Sequence, residues 1–375
     1  MRKRTLLLTI TLPVVMGGVV LSLATACWVG RERSSPTLTP TLTSIAAMVT
    51  ATPVPTATAW PTPSATLPAP ALFTGRKVLA GLQPETYVTD ACQYLRERWD
   101  AQSSAPGTVV VPVMFHTVFE GVAYRPGETY IPAVDLQRTV EAAKRLGFET
   151  ITAAQLADFL EHNMRIPPRS MIWILDDRHP DMLDKYFLPI AREQGWTMTL
   201  GWIVGDTDHR KGLWKQVEGW SAKGYVDVQS HGYAHYYVAD DSPDALVRQE
   251  LFGPVALLEQ HFGYRPIAFV WPGGDVTARS VQLAREAGYR LGFTVFARGP
   301  LMYNWVPLGQ AERAIGDPLM VLPRFWARPD LPDKLQEAAR LGDAAAAQSF
   351  RDFAQEAEYY RLMCGCELPV PSGSE

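Results

Sequence analysis

From Val109 onward, short runs of apolar and β-branched residues alternate with amphipathic stretches of helical period, and this alternation constrains the fold most. Val109 to Phe115 (VVVPVMF) and Ser170 to Leu175 (SMIWIL) are continuous apolar runs, which predicts strands buried on both faces. Further strands are predicted around Thr150 and over Thr197–Val204, Tyr225–Gln229, Ile267–Trp271 and Leu291–Phe296. Between them, Val134–Leu146 places Leu136, Val140, Ala143 and Leu146 on one stripe, as an amphipathic helix requires. Ala153–Asn163, Met182–Gln194, Pro243–Phe262 and Val276–Ala287 read as helices too. Repeated strand–helix units of this length imply a parallel sheet with helices outside it, either a barrel or a doubly wound sheet. Their number favours barrel-like closure. An Ala-rich, charged tail from Leu331 to about Met363 predicts helix packed on the outside.

The first part of the chain has a different character. Met1 to Arg4 (MRKR) is basic, and Leu6 to Ala26 is uncharged and mostly apolar. Cys27 follows the small residues Ala24, Thr25 and Ala26, as in a bacterial lipoprotein signal with Cys27 as the lipidated residue. The same run is long enough to span a bilayer as an uncleaved anchor with MRKR in the cytoplasm. Both readings place the remainder outside the cytoplasm, tethered to the cell membrane. Residues 28–71 then form a Pro, Thr, Ser and Ala tract with few charges (SPTLTPTLTS, later TPVPTATAWPTPSATLPAP). Such a tract cannot bury enough apolar surface to offset chain entropy, so it is expected to be an extended stalk. The expected organisation is an anchor at 1–27, a stalk at 28–71, a folded domain at 72–330 and a helical tail at 331–375.

With 47% hydrophobic and 20% charged residues, the chain has ample material for a core. A formal charge of −4 supplies no basic field, which excludes nucleic acid as a partner. Besides Cys27 there are Cys92, Cys364 and Cys366, with no CxxC pair. In an oxidising compartment Cys92 is expected to staple the start of the domain to its end through Cys364 or Cys366.

In parallel α/β folds, working residues collect where strands give way to loops. His116 directly follows VVVPVMF, Asp176 and Asp177 follow SMIWIL, and His231 and His235 follow YVDVQ in the segment SHGYAH. A lone His116 at a strand end is more often a hydrogen-bonded structural residue, an Asp pair often caps a helix, and HxxxH recurs by chance. Together, at the ends of separate strands, they point to chemistry. Two imidazoles and a carboxylate with an open position suit a hydrolytic metal.

Val109 to Ala327 resembles the polysaccharide deacetylase family, the NodB-like carbohydrate esterases, and within it the branch that deacetylates poly-N-acetylglucosamine. The TFDDG motif corresponds to Ile174-Leu175-Asp176-Asp177-Arg178, and HxxxH is intact as His231-Gly232-Tyr233-Ala234-His235 after Ser230. Phe269 to Gly274 stands for FAYPYG, Pro112 to His116 for PVLMYH, and Leu322-Pro323-Arg324 for the last strand. The resemblance implies a distorted (β/α)7 barrel of the NodB-homology type and one divalent metal ion, commonly zinc. It implies Asp177, His231 and His235 as ligands, Asp176 as general base and His116 as general acid. Trp271, Pro272, Gly273 and Arg324 are then expected to bind substrate, an N-acetylated cell-surface or extracellular polysaccharide. Trp271 suits a sugar face and a core site equally. Arg178 replaces the motif glycine. Its guanidinium is expected to pair with Asp176 and lower its pKa, to fill substrate space, or to point to solvent or substrate. The competing functions are a non-catalytic surface lipoprotein of the same fold that binds glycan or metal, and a metal hydrolase of another ester or amide.

Overall fold

A computed structural model describes residues 68–71, 73 and 83–369, except 208 and 211. The signal or anchor with Cys27, and the stalk up to residue 67, lie outside the described residues. Among the described residues no helix is long and apolar enough to cross a membrane.

Seven parallel strands carry the fold: β1 (Val109–Phe115), β2 (Arg169–Leu175), β3 (Met198–Trp202), β4 (Val226–Ser230), β5 (Ala268–Val270), β6 (Leu291–Phe293) and β7 (Phe325–Trp326). They are ordered β6-β5-β4-β3-β2-β1-β7. β1 and β2 pair along their whole length, from Val109↔Arg169 to Phe115↔Leu175, and β7 joins the other edge of β1 through Phe325↔Val113. The two ends of the sheet then meet. Leu322, just before β7, donates its N–H to Gly292 O at 2.8 Å and accepts from Thr294 N at 2.9 Å. This parallel bridge to β6 closes the expected seven-stranded barrel. The short strand Glu149–Thr150 occupies the lower half of the other edge of β2, at Ser170 and Met171, while β3 pairs only with its upper half.

The longer helices among the described residues are α1 (Ala91–Trp99), α2 (Ala133–Leu146), α3 (Ala153–His162), α4 (Leu188–Gln194), α5 (Leu213–Ser221), α6 (Asp244–Phe262), α7 (Ala278–Ala287) and α8 (Leu331–Cys364). The predicted helix over Met182–Gln194 contains a π-helical segment at Leu183–Phe187 before α4. α1 and α5 were not predicted. α5 is short but buries Leu213, Trp214, Val217 and Trp220 on one face. The tail helix α8 shares the main core, where its Leu331, Leu335, Ala338 and Leu341 pack in one cluster with Val109, Val111 and Val113. A disulfide joins Cys92 of α1 to Cys364 at the end of α8, the first of the two expected pairings. Beside it, Trp99 donates its indole N–H to Glu356 at 2.6 Å, and Arg98 pairs with the same carboxylate at 3.3 Å.

Strand periodicity decides which residues reach the barrel mouth. Val109, Val111, Val113 and Phe115 of β1 face the helices, in one cluster with Leu136 and Val140 of α2. Val110 packs instead with Ile172 and Ile174 of β2, Val270 and Phe293. Side chains alternate with period two, so His116 and Asp176, which continue the even-numbered face, turn inward just above the strand ends.

Candidate metal centre

At the C-terminal mouth of the barrel, Asp177 meets the histidine pair. Its Oδ1 lies 3.5 Å from Nε2 of His231 and 3.5 Å from Nε2 of His235, and the ligand atoms of all three lie within 4.8 Å of one another. The three come from the loops after β2 and β4. Asp177 is in the left-handed region at φ 66° and His235 at φ 62°. An L-residue adopts this conformation at a cost of about 1 kcal/mol, tolerated where the surroundings over-determine it. His231 is 2% exposed, and its Nδ1 lies 2.8 Å from the carbonyl of Val270, which leaves Nε2 to face Asp177. The donor chemistry is that of a two-histidine, one-carboxylate metal site, with a backbone carbonyl fixing one imidazole.

Charge within the cluster is strongly biased. Burial pushes the Asp177 carboxyl up, but hydrogen bonds from His179 and His231, with the charges of His231 and His116, hold it well below the ordinary carboxylate range. Burial, with the neighbouring His231, lowers the His235 pKa against the pull of Asp177. A deprotonated carboxylate and a neutral imidazole are the forms that bind metal. His179 places Nε2 3.5 Å from Asp177 Oδ2, while His231 and His235 approach Oδ1.

Behind this cluster lies a buried couple. Asp176 is 2% exposed, and its Oδ1 accepts from Arg324 Nη1 at 2.6 Å. Arg324 is 1% exposed and also donates through Nε to Thr294 O at 2.8 Å. Burial raises the Asp176 pKa, but the charges of Arg324, His231 and His116 outweigh it and leave the carboxyl below its ordinary value. The second oxygen, Oδ2, stands 3.8 Å from His116 Nε2. His116 stacks on Trp326 at 5.9 Å between ring centroids, and burial lowers its pKa despite the two nearby aspartates. Its Nδ1 is buried without a hydrogen-bond partner among the described residues, so the proton is better placed on Nε2, facing Asp176.

Several sequence expectations are corrected here. Trp271 is not a sugar platform: it is 0% exposed, donates its indole N–H to Met320 O at 2.8 Å and packs on Phe269. Pro272 is buried beside it. Arg324 cannot meet substrate, because its guanidinium is sealed under the site and bound to Asp176. Of the alternatives open to Arg178, pairing with Asp176 is not the one adopted, because Arg324 holds that carboxylate. Arg178 instead donates to the carbonyl of Gly205 in the loop after β3. Gly273 does reach the surface, at φ 64°, and a Cβ there would fall 2.3 Å from Cε1 of Tyr237. The ring of Tyr237, 54% exposed, is thus held between Gly273 and the edge of His235, 5.2 Å away. No periodicity or motif marked Tyr237, because its position depends on β4 and β5 being neighbours.

Residues 165–292 match the family model for polysaccharide deacetylases. The match spans about a third of the chain, from just before β2 to β6, and makes that part similar to the polysaccharide deacetylase family. The matched span contains Asp176, Asp177, His231 and His235, and leaves His116 and Arg324 outside it. Among solved structures, the domain is similar to the deacetylase PplD of Streptococcus pyogenes, with 19% identity, 63% of this chain and 99% of that chain covered, and a TM-score of 0.51. It is also similar to IcaB from Ammonifex degensii, with 18% identity, coverage of 64% and 99%, and a TM-score of 0.48. No curated protein matches the chain. The likeness to PplD concerns the fold alone.

Proposed function

We propose that the protein is a metal-dependent hydrolase that removes N-acetyl groups from a cell-surface or extracellular polysaccharide built on N-acetylglucosamine. The observation that carries this reading is the convergence of Asp177, His231 and His235 beside the Asp176–His116 couple. When bound there, a divalent ion such as zinc supplies Lewis acidity toward an acetamide carbonyl and acidifies water. The protein's own residues do the rest. Arg324 occupies Oδ1 of Asp176 and leaves Oδ2 as the atom free to take a proton from the attacking water. His116, once protonated on both ring nitrogens, is placed to hand its Nε2 proton to the departing amine nitrogen and return to the neutral form. Tyr237 and Trp326 offer partly exposed aromatic surface beside His235 and His116, which suits the apolar face of a sugar ring.

Arg178 is bound to Gly205 and leaves Asp176 to Arg324, which supports turnover over binding alone. The N-terminal basic and apolar run, with Cys27, supports an extracytoplasmic location at the membrane through a lipid or an anchor helix. The disulfide fits that oxidising compartment. The test is acetate release from N-acetylglucosamine oligomers by protein stripped with chelator and reloaded with zinc, cobalt or nickel. Metal-restored release is expected. Bound metal without release from any glycan would move the assignment to a binding protein.

A further inference from the structure

The loop that carries both metal-site histidines is anchored on a buried acid that no motif singled out. Glu250 lies on α6 and is 3% exposed. Its Oε2 accepts from the N–H of Tyr233 at 2.9 Å and its Oε1 from the N–H of Ala234 at 2.7 Å. These are two consecutive residues between His231 and His235. Among the described residues, no Lys, Arg or His forms an ion pair with this carboxylate. A buried carboxylate without a counter-charge costs several kcal/mol, so a fold that keeps one gains something specific from it. Two N–H groups bound to two different oxygens require a carboxylate, since an amide has only one acceptor oxygen.

The surrounding backbone is shaped to this contact. Gly232 sits at φ 88°, and a Cβ there would fall 2.2 Å from Glu250 Oε2, so only glycine lets the carboxylate approach. On the opposite side the carbonyl of Tyr233 accepts from Gly205 N at 2.7 Å. The turn between the histidines is therefore gripped from both sides, and His235 leaves it in the left-handed conformation that points Nε2 at Asp177.

Charge balance points the same way. Two neutral imidazoles and Asp177 offset only one unit of a divalent charge, and Asp176 is already matched by Arg324. Glu250, one layer behind the loop, supplies a second negative charge.

We propose that Glu250 is a positioning residue of the metal centre, which sets the spacing of His231 and His235 and the charge behind them, and thereby the affinity for a divalent cation. This rests on the metal-centre reading above. The test uses the full chain and measures zinc affinity by competition with a chromophoric chelator, together with the visible spectrum of the cobalt form. E250Q is expected to remain folded, to bind zinc about 10- to 100-fold more weakly and to change the cobalt spectrum. Excess zinc should restore its acetate release with KM for the glycan unchanged. E312Q, at another buried acid of the same chain paired with Arg298, is the control and should leave zinc affinity alone.

Wild-type protein that binds no zinc would sink the metal centre itself. Zinc binding equal in wild type and folded E250Q would overturn only the role of Glu250. If E250Q does not fold, E250D keeps the charge but shortens its reach. Weakened zinc binding by folded E250D is then expected, and unchanged binding, or failure of both variants to fold, overturns the proposal.

Discussion

Replacing Arg324 with methionine tests the electrostatic core of the site. The guanidinium and the Asp176 carboxylate are both essentially sealed from water and meet at 2.6 Å. Such a pair is worth little against a well-packed apolar pair, because desolvation offsets its attraction, but removing one partner orphans the other at about 3–5 kcal/mol. The bond from Nε to Thr294 O, at the seam where β6 meets the segment before β7, is lost as well. Unfolding entropy is on the order of 0.6 kcal/mol/K for a domain of roughly 300 residues, so the expected fall in Tm is about 5–8 °C. Urea unfolding of the metal-stripped chain, followed by tryptophan fluorescence, gives the free energy directly, and chelator keeps metal linkage out of the result. Asp176→Asn combined with Arg324→Met should be less damaging than the two single losses summed, with a coupling of about 2–3 kcal/mol. A loss below about 1 kcal/mol for Arg324→Met, or strict additivity in the cycle, would refute the view that these two buried charges depend on each other.

Three further outcomes are expected. Asp227 accepts from Ala153 N and from Gln229 Nε2, each at 2.7 Å, yet burial raises its pKa above the ordinary 3.8. The folded chain therefore holds that proton where the unfolded chain has released it, so its contribution to stability falls as pH rises from about 4 to the raised value. The stability of wild type minus that of Asp227→Asn should decline over that window and then level; a rise with pH would contradict the reasoning. Cys92 and Cys364 close a loop spanning a sequence separation of 272, and serine at both positions should cost about 2–5 kcal/mol in unfolding experiments without reductant. Tyr237→Ala should raise KM for N-acetylglucosamine oligomers roughly 3- to 10-fold with kcat and metal content unchanged. A fall in metal content would show that the ring serves His235 instead of sugar.

The sequence alone determined what depends on local pattern. Apolar runs such as VVVPVMF and SMIWIL marked the strands, and the stripe of Leu136, Val140 and Ala143 marked α2, because burial of one face imposes a period that can be read directly. Residues just past the strands were legible too, since a parallel sheet brings its strand ends to one side; His116, Asp176, Asp177, His231 and His235 meet there. Tertiary structure decided everything that depends on partners distant in the chain. Arg324 lies 148 residues from Asp176, and only closure of the barrel between β6 and β7 makes it, and not the adjacent Arg178, the partner of that carboxylate. Trp271 fits a core and a sugar face equally well by chemistry, and its 0% exposure followed from how Met320 and Phe269 enclose it. Glu250 looks like any acid on a helix until α6 packs behind the histidine loop. Side-chain chemistry is written locally, but burial and partnership belong to the packed molecule, and those two properties separate the residues that meet substrate from those that hold the site in place.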